Sequence, residues 1–502
     1  MKKYSHIFET AHVLHDLKGK SVRAGFYTMA AEVVSQILRV GSVVVLARLL
    51  LPEHFGLVSM VTAITVFAER FKHLGLSTAT IQQKDITHEQ VSTLFWINAG
   101  AGILIALAIA GLSQGIASFY TEPNLVPITM ALSLSFVFGG LNVQHEALLR
   151  RQMRFRALGF IQVLATLVSI WLAIELALNG FTYWALVWRE VVKSAVELIG
   201  VWFACRWWPG LPAPRSGIGS LLRVGRNIVS VDTVYFMCRN IDQILLGRFA
   251  GAHALGLYRQ AFQLMALPMS QLCQPVGSVT LPSMSALQDQ PDRYRRYFEK
   301  IVGLLFFVAV PLVAYMAIFS EDIVKVVLGE AWLEAAWIFR ILAVGALIEP
   351  LFHLCGMVMI TQRRTDHLLK WVIMYGISLI LGFSIGIQWG AIGVAVGYTV
   401  AHYALIVPSL WISFKGTPVS IYLFLKTIFK PVLFSLIMAV FLMALANGIE
   451  PLDIAWRIGL SAFTAVFVYF GLWMVYPSDR KRLLDDASSL LSAFKPAESA
   501  SK

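Results

Sequence analysis

The sequence predicts an all-α polytopic membrane protein with fourteen transmembrane helices, arranged as two parallel six-helix lobes followed by two further C-terminal helices. Three observations carry this: the scarcity of charge, the segregation of lysine and arginine between apolar runs, and an internal repeat at an offset of 200 residues. Of 502 residues, 58% are apolar and only 14% charged, whereas about a quarter of a soluble domain is charged. So little charge cannot clothe a water-exposed surface, and so much apolar content excludes disorder. At about 20 to 25 residues per span plus a short loop, the chain has room for about fourteen spans.

Apolar windows place these spans at 24–47, 54–76, 92–116, 125–147, 157–178, 182–204, 222–246, 254–282, 299–319, 333–360, 367–387, 390–412, 427–447 and 455–475. Turn chemistry separates several of them, at Pro52, Glu122-Pro123-Asn124, Asn179-Gly180, Pro209 to Pro214 and Asn447-Gly448. With the N-terminus inside, the segments assigned to the cytoplasm hold 31 Lys and Arg residues, and the external loops hold only Arg48, Arg248, Lys325 and Arg457. A wrong span count would mix the two sets, because cytoplasmic loops are the ones enriched in positive charge. Both termini are therefore expected in the cytoplasm. The net charge of +12 belongs to this topology, and its dispersal in small clusters argues against nucleic acid as a partner. The bilayer is the partner it implies.

The expected organisation is an amphipathic cytoplasmic segment over 1–20, an N-lobe over 21–206, a cytoplasmic linker over 207–220, a C-lobe over 221–412, two added helices over 413–476, and a cytoplasmic tail over 477–502. In the first segment Tyr4, Ile7, Phe8, Ala11, Leu14 and Leu17 recur at helical spacing beside lysines. That pattern suits either an interfacial helix on an anionic leaflet or a solvated start to the first span. The lobes follow from the repeat: Arg23, Gly25, Val34, Arg39, Leu46, Arg48, Gly56 and Leu57 recur as Arg223, Gly225, Val234, Arg239, Leu246, Arg248, Gly256 and Leu257. Glu32 is answered by Asp232. A unit of six spans enters the membrane from the same side each time, so the halves are related by an axis along the membrane normal.

Ionisable residues inside spans are the candidate functional residues, since each costs about 2.5 to 3.5 kcal/mol at a helix centre and so faces a cavity or a partner. The first span carries Glu32 and Arg39, which share a face at a spacing of seven. The sixth carries Arg189, Glu190, Lys193 and Glu197. Asp232, Arg239 and Asp242 lie in the seventh, and Arg259 lies near the start of the eighth. Two readings follow. In one, Arg39 and Arg239, with Arg259, Arg189 and Lys193, line a water-filled cavity that attracts an anion, while Glu32, Asp232 and Asp242 serve as counterions or coupling groups. In the other, these charges pair and lock helices together. Arg23 and Arg223 mark the cytoplasmic mouth, as substrate contacts or as positive-inside anchors. Arg48 and Arg248 read as structural end caps.

Other features are expected to be structural. Glu349-Pro350 should break the tenth span. Gly390, Gly393 and Gly397 suit close helix packing. Cys205, Cys238, Cys273 and Cys355 lack CxxC spacing and read as buried thiols. His145, His353 and His402 read as satisfied helix residues, and Glu321-Asp322 as a solvated loop. No metal site, P-loop, HExxH, nucleophile elbow or paired-acid site is present, so neither an enzyme nor a metal or organic cofactor is expected. Proton or sodium coupling is left open.

Four stretches carry a family resemblance: LARLLLPEHFGL (46–57), GLSTATIQQKDITHEQVSTLFWIN (75–98), LLGRFAGAHALGLYRQAFQLMALP (245–268) and LPSMSALQDQPDRYRRYFEK (281–300). They resemble the oligosaccharide flippases of the MOP exporter superfamily, in the colanic-acid-exporter-like branch, and the likeness runs from about residue 18 to 475. The resemblance implies alternating access between two six-helix lobes. It implies a lipid-linked oligosaccharide on undecaprenyl pyrophosphate, moved from the cytoplasmic to the periplasmic leaflet of the bacterial inner membrane, for exopolysaccharide, O-antigen or capsule assembly. A polysaccharide polymerase or co-polymerase is then an expected partner. Arg39 and Arg239 would hold the pyrophosphate or acidic sugars, helped by Arg259, Arg189 and Lys193, because arginine offers planar donors and a charge that resists neutralisation. The alternative within the superfamily is a multidrug or cation exporter, which would want unpaired acids in a net-negative lumen.

Overall fold

Wherever they are described, the fourteen apolar windows fall on helical stretches in the computed structural model, which describes residues 17–73, 76–83, 86–213 and 219–475, with the backbone path alone for 17–22, 66–73, 76, 78–79 and 219–239. The expected cytoplasmic tail, and all but residues 17–20 of the N-terminal segment, lie outside the described residues. The helices are α1 (Leu17–Leu49), α2 (Pro52–His73), α3 (Leu76–Gln82), α4 (His88–Gly111), α5 (Ser113–Tyr120), α6 (Leu125–Arg151), α7 (Phe155–Leu178), α8 (Thr182–Cys205) and α9 (Gly219–Ala286). They continue as α10 (Pro291–Ile318), α11 (Ser320–Val327), α12 (Ala335–Ala346), α13 (Glu349–Thr361), α14 (Thr365–Gly386), α15 (Gly390–Ala404), α16 (Ile406–Phe414), α17 (Ile421–Ile449) and α18 (Ile454–Val475). No strand occurs among the described residues. The protein is an all-helical, multi-pass membrane protein.

Nine of the helical stretches among the described residues are long and apolar enough to cross a bilayer. α8 is excluded from that set by Arg189, Glu190, Lys193 and Glu197. α9 holds the seventh and eighth predicted spans, separated at Gly251, whose φ of 82° breaks the helical path. Only glycine takes that conformation without strain. As Glu349-Pro350 predicts, the tenth span is broken: α12 ends at Ala346 and α13 begins at Glu349, with the proline in its first turn.

The chain divides into two compact units. The first comprises Met1–Gln260, Val327–Glu334 and Gly376–Gly397. Within it α6 is the central helix, packed against α2, α3, α4, α5 and α8, while α1 lies along α7. Glycines permit the closest crossings. A Cβ added at Gly102 of α4 would stand 2.6 Å from the Phe136 carbonyl oxygen of α6, and one at Gly140 would stand 2.6 Å from that of Asn98.

The tightest crossing joins the start of α2 to the second limb of α9. A Cβ at Gly56 would stand 1.7 Å from the Ala252 carbonyl oxygen, and one at Gly256 would stand 1.9 Å from that of Pro52. Positions 52 and 252, like 56 and 256, are repeat partners, so this contact is its own image under the repeat. Leu46 and Leu246 are fully buried beside it, as are Leu57 and Leu257 nearly so. The aromatic rings of Tyr120 and Trp332 fill the flanks. Tyr120 packs on Gly247, and the Trp332 indole donates to the Ala47 carbonyl at 2.8 Å. The small-residue reading of the twelfth span also holds: Gly393 and Gly397 of α15 press on the backbones of Gly386 and Gly382 in α14.

After α8 the chain runs as a non-helical strap over 206–213, fastened to the first two turns of α4. Gly210 N–H donates to Ser92 Oγ at 2.9 Å, Ala213 N–H to Thr93 Oγ1 at 2.9 Å, and the Trp96 indole to the Gly210 carbonyl at 2.8 Å. His145 lies fully buried beneath the strap, stacked on Trp202 at 4.4 Å and bonded to the Trp207 carbonyl at 3.1 Å. Its Nδ1 finds no hydrogen-bond partner among the described residues, so the expectation of a satisfied histidine is met at one ring nitrogen only. Cys205, Cys273 and Cys355 are buried free thiols, whereas the side chain of Cys238 lies outside the described residues.

The second unit comprises Ala261–Val326, Ala335–Tyr375 and Tyr398–Lys502. α10 packs on α17 and α12, and Phe434, Met438 and Leu442 of α17 pack on Tyr469 and Trp473 of α18. One expectation is overturned here. Asp322 is not solvated: it is 5% exposed and takes the Arg457 guanidinium at 3.0 Å. Burial pushes its carboxyl above the ordinary aspartate range, against the pull of Arg457. The short amphipathic α11 turns this acid inward, which the composition of a single loop does not reveal.

Gly256→Ala is expected to cost more than about 2 kcal/mol through overpacking against backbone that has no room to move. Gly111→Ala, whose added Cβ meets nothing within 4 Å, should be neutral or stabilising by up to about 1 kcal/mol. Thermal melting of the two purified variants in detergent checks the contrast.

Candidate functional site: a charged layer across the first unit

The polar side chains of α1, α2, α7, α8 and α9 meet within the first unit. Their depth follows from helix geometry: at about 1.5 Å per residue, Glu190 lies about 12 Å into α8, Arg39 about 15 Å below the end of α1, and Thr62 about 15 Å below the start of α2. Asp242 and Arg259 lie about 13 and 12 Å to either side of Gly251 along α9. All these ends are on the side that the charge pattern assigns to the exterior, so these groups form one layer at a similar depth along their helices.

At one end of the layer is Arg39. Its guanidinium bonds Glu32 Oε1 at 2.5 Å and Gln36 Oε1 at 2.7 Å, all three residues lying on the same face of α1. Gln162 of α7 donates to the other Glu32 oxygen at 2.9 Å, which ties α1 to α7. Arg39 and Glu32 therefore occupy the ion-pair arrangement, the second of the two readings. Their side chains are 39% and 57% exposed.

The centre of the layer belongs to α8. Arg189 bonds Glu190 Oε1 through Nη2 at 2.8 Å and Nε at 3.1 Å. Lys193, one turn further on, is near enough for its charge to act on both Glu190 and Glu32. It makes no ion pair or hydrogen bond among the described residues. Glu197, the last member of the predicted stripe, is half-buried and engaged in a further contact.

The other end is built by α9 and α2. Arg259 donates through Nη1 to Thr62 Oγ1 at 2.8 Å and to Gln243 Oε1 at 3.1 Å. It touches no carboxylate among the described residues, although Glu190 and Asp242 both lie within range of its charge. Asp242 is 4% exposed. It is held by the Tyr258 hydroxyl at 3.0 Å and the Gln243 N–H at 2.8 Å.

The structure thus brings together Arg39, Glu32, Arg189, Lys193, Asp242 and Arg259. Arg23 is exposed near the start of α1, apart from the layer. The side chains of Arg223, Asp232 and Arg239 lie outside the described residues. Arg248 is exposed and lies over the rings of Phe119 and Phe249, at 5.9 and 5.8 Å, as an end cap would. Sequence reasoning missed the neutral members Gln36, Thr62, Gln162, Gln243 and Tyr258. Their signal is faint, though Gln36 stands midway between Glu32 and Arg39 on the same helical face. Chemically the layer holds two kinds of cation among the described residues. Arg39 and Arg189 are already neutralised by touching acids, and Lys193 and Arg259 are not. No group of three or more potential metal ligands occurs among the described residues.

The fold defines an α-helical, multi-pass membrane protein with a charged layer among its helices. A family model described as polysaccharide biosynthesis protein matches residues 45–337, and the chain belongs to that family. It is 26% identical over 422 residues to the lipopolysaccharide biosynthesis protein WzxC of Escherichia coli strain K12, covering 81% of this chain and 85% of that protein. With the teichuronic acid biosynthesis protein TuaB of Bacillus subtilis strain 168 it shares 27% identity over 430 residues, or 84% and 88% of the two chains. Among solved structures it resembles the lipid II flippase MurJ in an inward closed conformation. The TM-score is 0.71 at 14% identity, over 88% of this chain and 97% of that one, a likeness of fold. The resemblance read from residues 46–57, 75–98, 245–268 and 281–300 is borne out.

Thr62→Val should destabilise the protein by about 1.5 kcal/mol, because a charged donor in a water-poor site loses one of its two acceptors. Thr62→Ser should restore most of that loss. Chemical unfolding in detergent reads both.

Proposed function

We propose that this protein is a flippase that moves undecaprenyl-pyrophosphate-linked oligosaccharide from the cytoplasmic to the periplasmic leaflet of the bacterial inner membrane, with both termini cytoplasmic, for polysaccharide assembly. The observation that carries this reading is the pair Arg259 and Lys193, cations at membrane depth that touch no carboxylate among the described residues. A bundle so apolar keeps such charges only where an anion or water answers them. Sugars and pyrophosphate do not cross about 30 Å of hydrocarbon unaided, whereas a polyprenyl tail is at home there. A cationic layer reached from each face in turn meets the need of the head group and leaves the tail in lipid.

Two further features support the reading. The 200-residue repeat fits alternating access between the halves 21–206 and 221–412. The repeat-symmetric Gly56–Gly256 crossing, at the outer ends of their first hairpins, is a closure that two such halves make and release. The chemistry proposed is binding and translocation. A polymerase or co-polymerase would receive the product. The energy source is proposed to act through the acids of the layer, Asp242 foremost.

Cells lacking the protein should accumulate undecaprenyl-linked oligosaccharide on the cytoplasmic face and lose the surface polymer. Complementation with Arg259→Gln/Lys193→Gln should leave export at or below about a hundredth of wild type with normal protein abundance. Normal export by that double variant, or a lipid-linked unit that is never assembled, would overturn the assignment.

A further inference from the structure

Three of the four cations described in the layer, Arg189, Lys193 and Arg259, act on Glu190. It takes Arg189 in direct contact, and Lys193 from its own helix and Arg259 from α9 both act on it electrostatically. Arg189 and Glu190 are sequence neighbours, whose side chains leave a helix about 100° apart and do not naturally face each other. A purely structural ion pair on one helix is normally built at a spacing of three or four residues. Here both side chains bend toward the same spot. The second carboxylate oxygen, Oε2, accepts no hydrogen bond among the described residues, and the side chain is 39% exposed although it lies about a third of the way along α8. Arg259, for its part, commits only Nη1 to acceptors among the described residues.

We propose that Glu190 is a tethered stand-in for the transported anion, so that it sets how tightly the substrate phosphates are held and promotes their release. This deepens the flippase reading and rests on it. In the empty protein the carboxylate keeps Arg189, Lys193 and Arg259 from repelling one another in a water-poor site, where like charges interact strongly. A diphosphate entering the layer replaces Glu190 as the partner of these cations, and the swing of Glu190 back toward them favours departure on the far side. A carrier needs this compromise: binding strong enough to admit the ligand, yet weak enough to let it leave. Glu190 is therefore a positioning residue that acts through the three cations. Three bare cations with no resident acid would hold a diphosphate too long.

The test is binding of inorganic pyrophosphate to the purified full-length protein in nanodiscs, measured beside polymer export in cells. Glu190→Gln keeps the shape and removes the charge. It should bind pyrophosphate about tenfold more tightly while export falls severalfold, a split that a structural ion pair would not produce. Glu190→Asp, which draws the carboxylate back by one methylene, should shift both quantities in the same directions but less, and it serves if the glutamine variant fails to fold. Unchanged or weaker binding by both variants, with Arg259→Gln losing binding as expected, would overturn the role of Glu190 and leave the flippase site standing. If Arg259→Gln also binds as wild type does, the site itself is misassigned and this inference falls with it.

Discussion

A charge inside the hydrocarbon layer has to be answered by another group, and the arrangement of the first unit follows from that constraint. Each membrane-depth charge costs about 2.5 to 3.5 kcal/mol if left facing lipid. The acids and bases of α1, α8 and α9 therefore turn toward one another and draw in Gln36, Thr62, Gln162 and Gln243 as neutral partners. Because these partners sit on different helices, satisfying them fixes how α1 meets α7 and how α2 meets α9. The result is uneven. Arg39 and Arg189 reach acids directly, whereas among the described residues Arg259 reaches only Thr62 and Gln243 and Lys193 makes no ion pair or hydrogen bond.

The second constraint is steric. α2 and the second limb of α9 approach so closely that no Cβ fits at Gly56 or Gly256. That approach brings Thr62, less than two turns beyond Gly56 on α2, to Arg259, one turn beyond Gly256 on α9. The glycine crossing and the arginine site are thus one device: the first sets the spacing that the second uses. Their origins in the repeat differ, however. The crossing is symmetric, because both copies supply the glycine. The site is asymmetric, because the repeat counterpart of Arg259 is Ser59 and that of Thr62 is Phe262.

That asymmetry explains what could be read from the chain beforehand. The spans were legible because a bilayer imposes a length and a polarity that no packing detail overrides, and the fourteen windows fall on helical stretches wherever they are described. The break at Glu349-Pro350 was legible because proline removes a backbone donor whatever its neighbours. Of the site, the charged members were legible by their sheer cost in a span. Symmetry, however, pointed first to Arg39 and Arg239; the structure places Arg39 against Glu32, the Arg239 side chain lies outside the described residues, and the cations without a touching acid among the described residues are Lys193 and Arg259, the latter where the repeat is broken. Gln162, Gln243 and Thr62 carry no periodic or charge signal, and Asp322 looked like a surface acid until α11 turned it inward toward Arg457. Pairings between helices far apart in sequence are set by tertiary packing, which a single chain of letters does not encode locally.

The most direct measurement is transbilayer movement in proteoliposomes that contain only this protein and a fluorescent polyprenyl-diphosphate sugar, followed by quenching with a membrane-impermeant reductant. The flippase reading predicts that purified protein speeds exposure of the inner-leaflet label, and that Arg259→Gln returns the rate to that of empty vesicles. No acceleration by folded wild-type protein, in vesicles where the same protein moves a cationic dye, would contradict it.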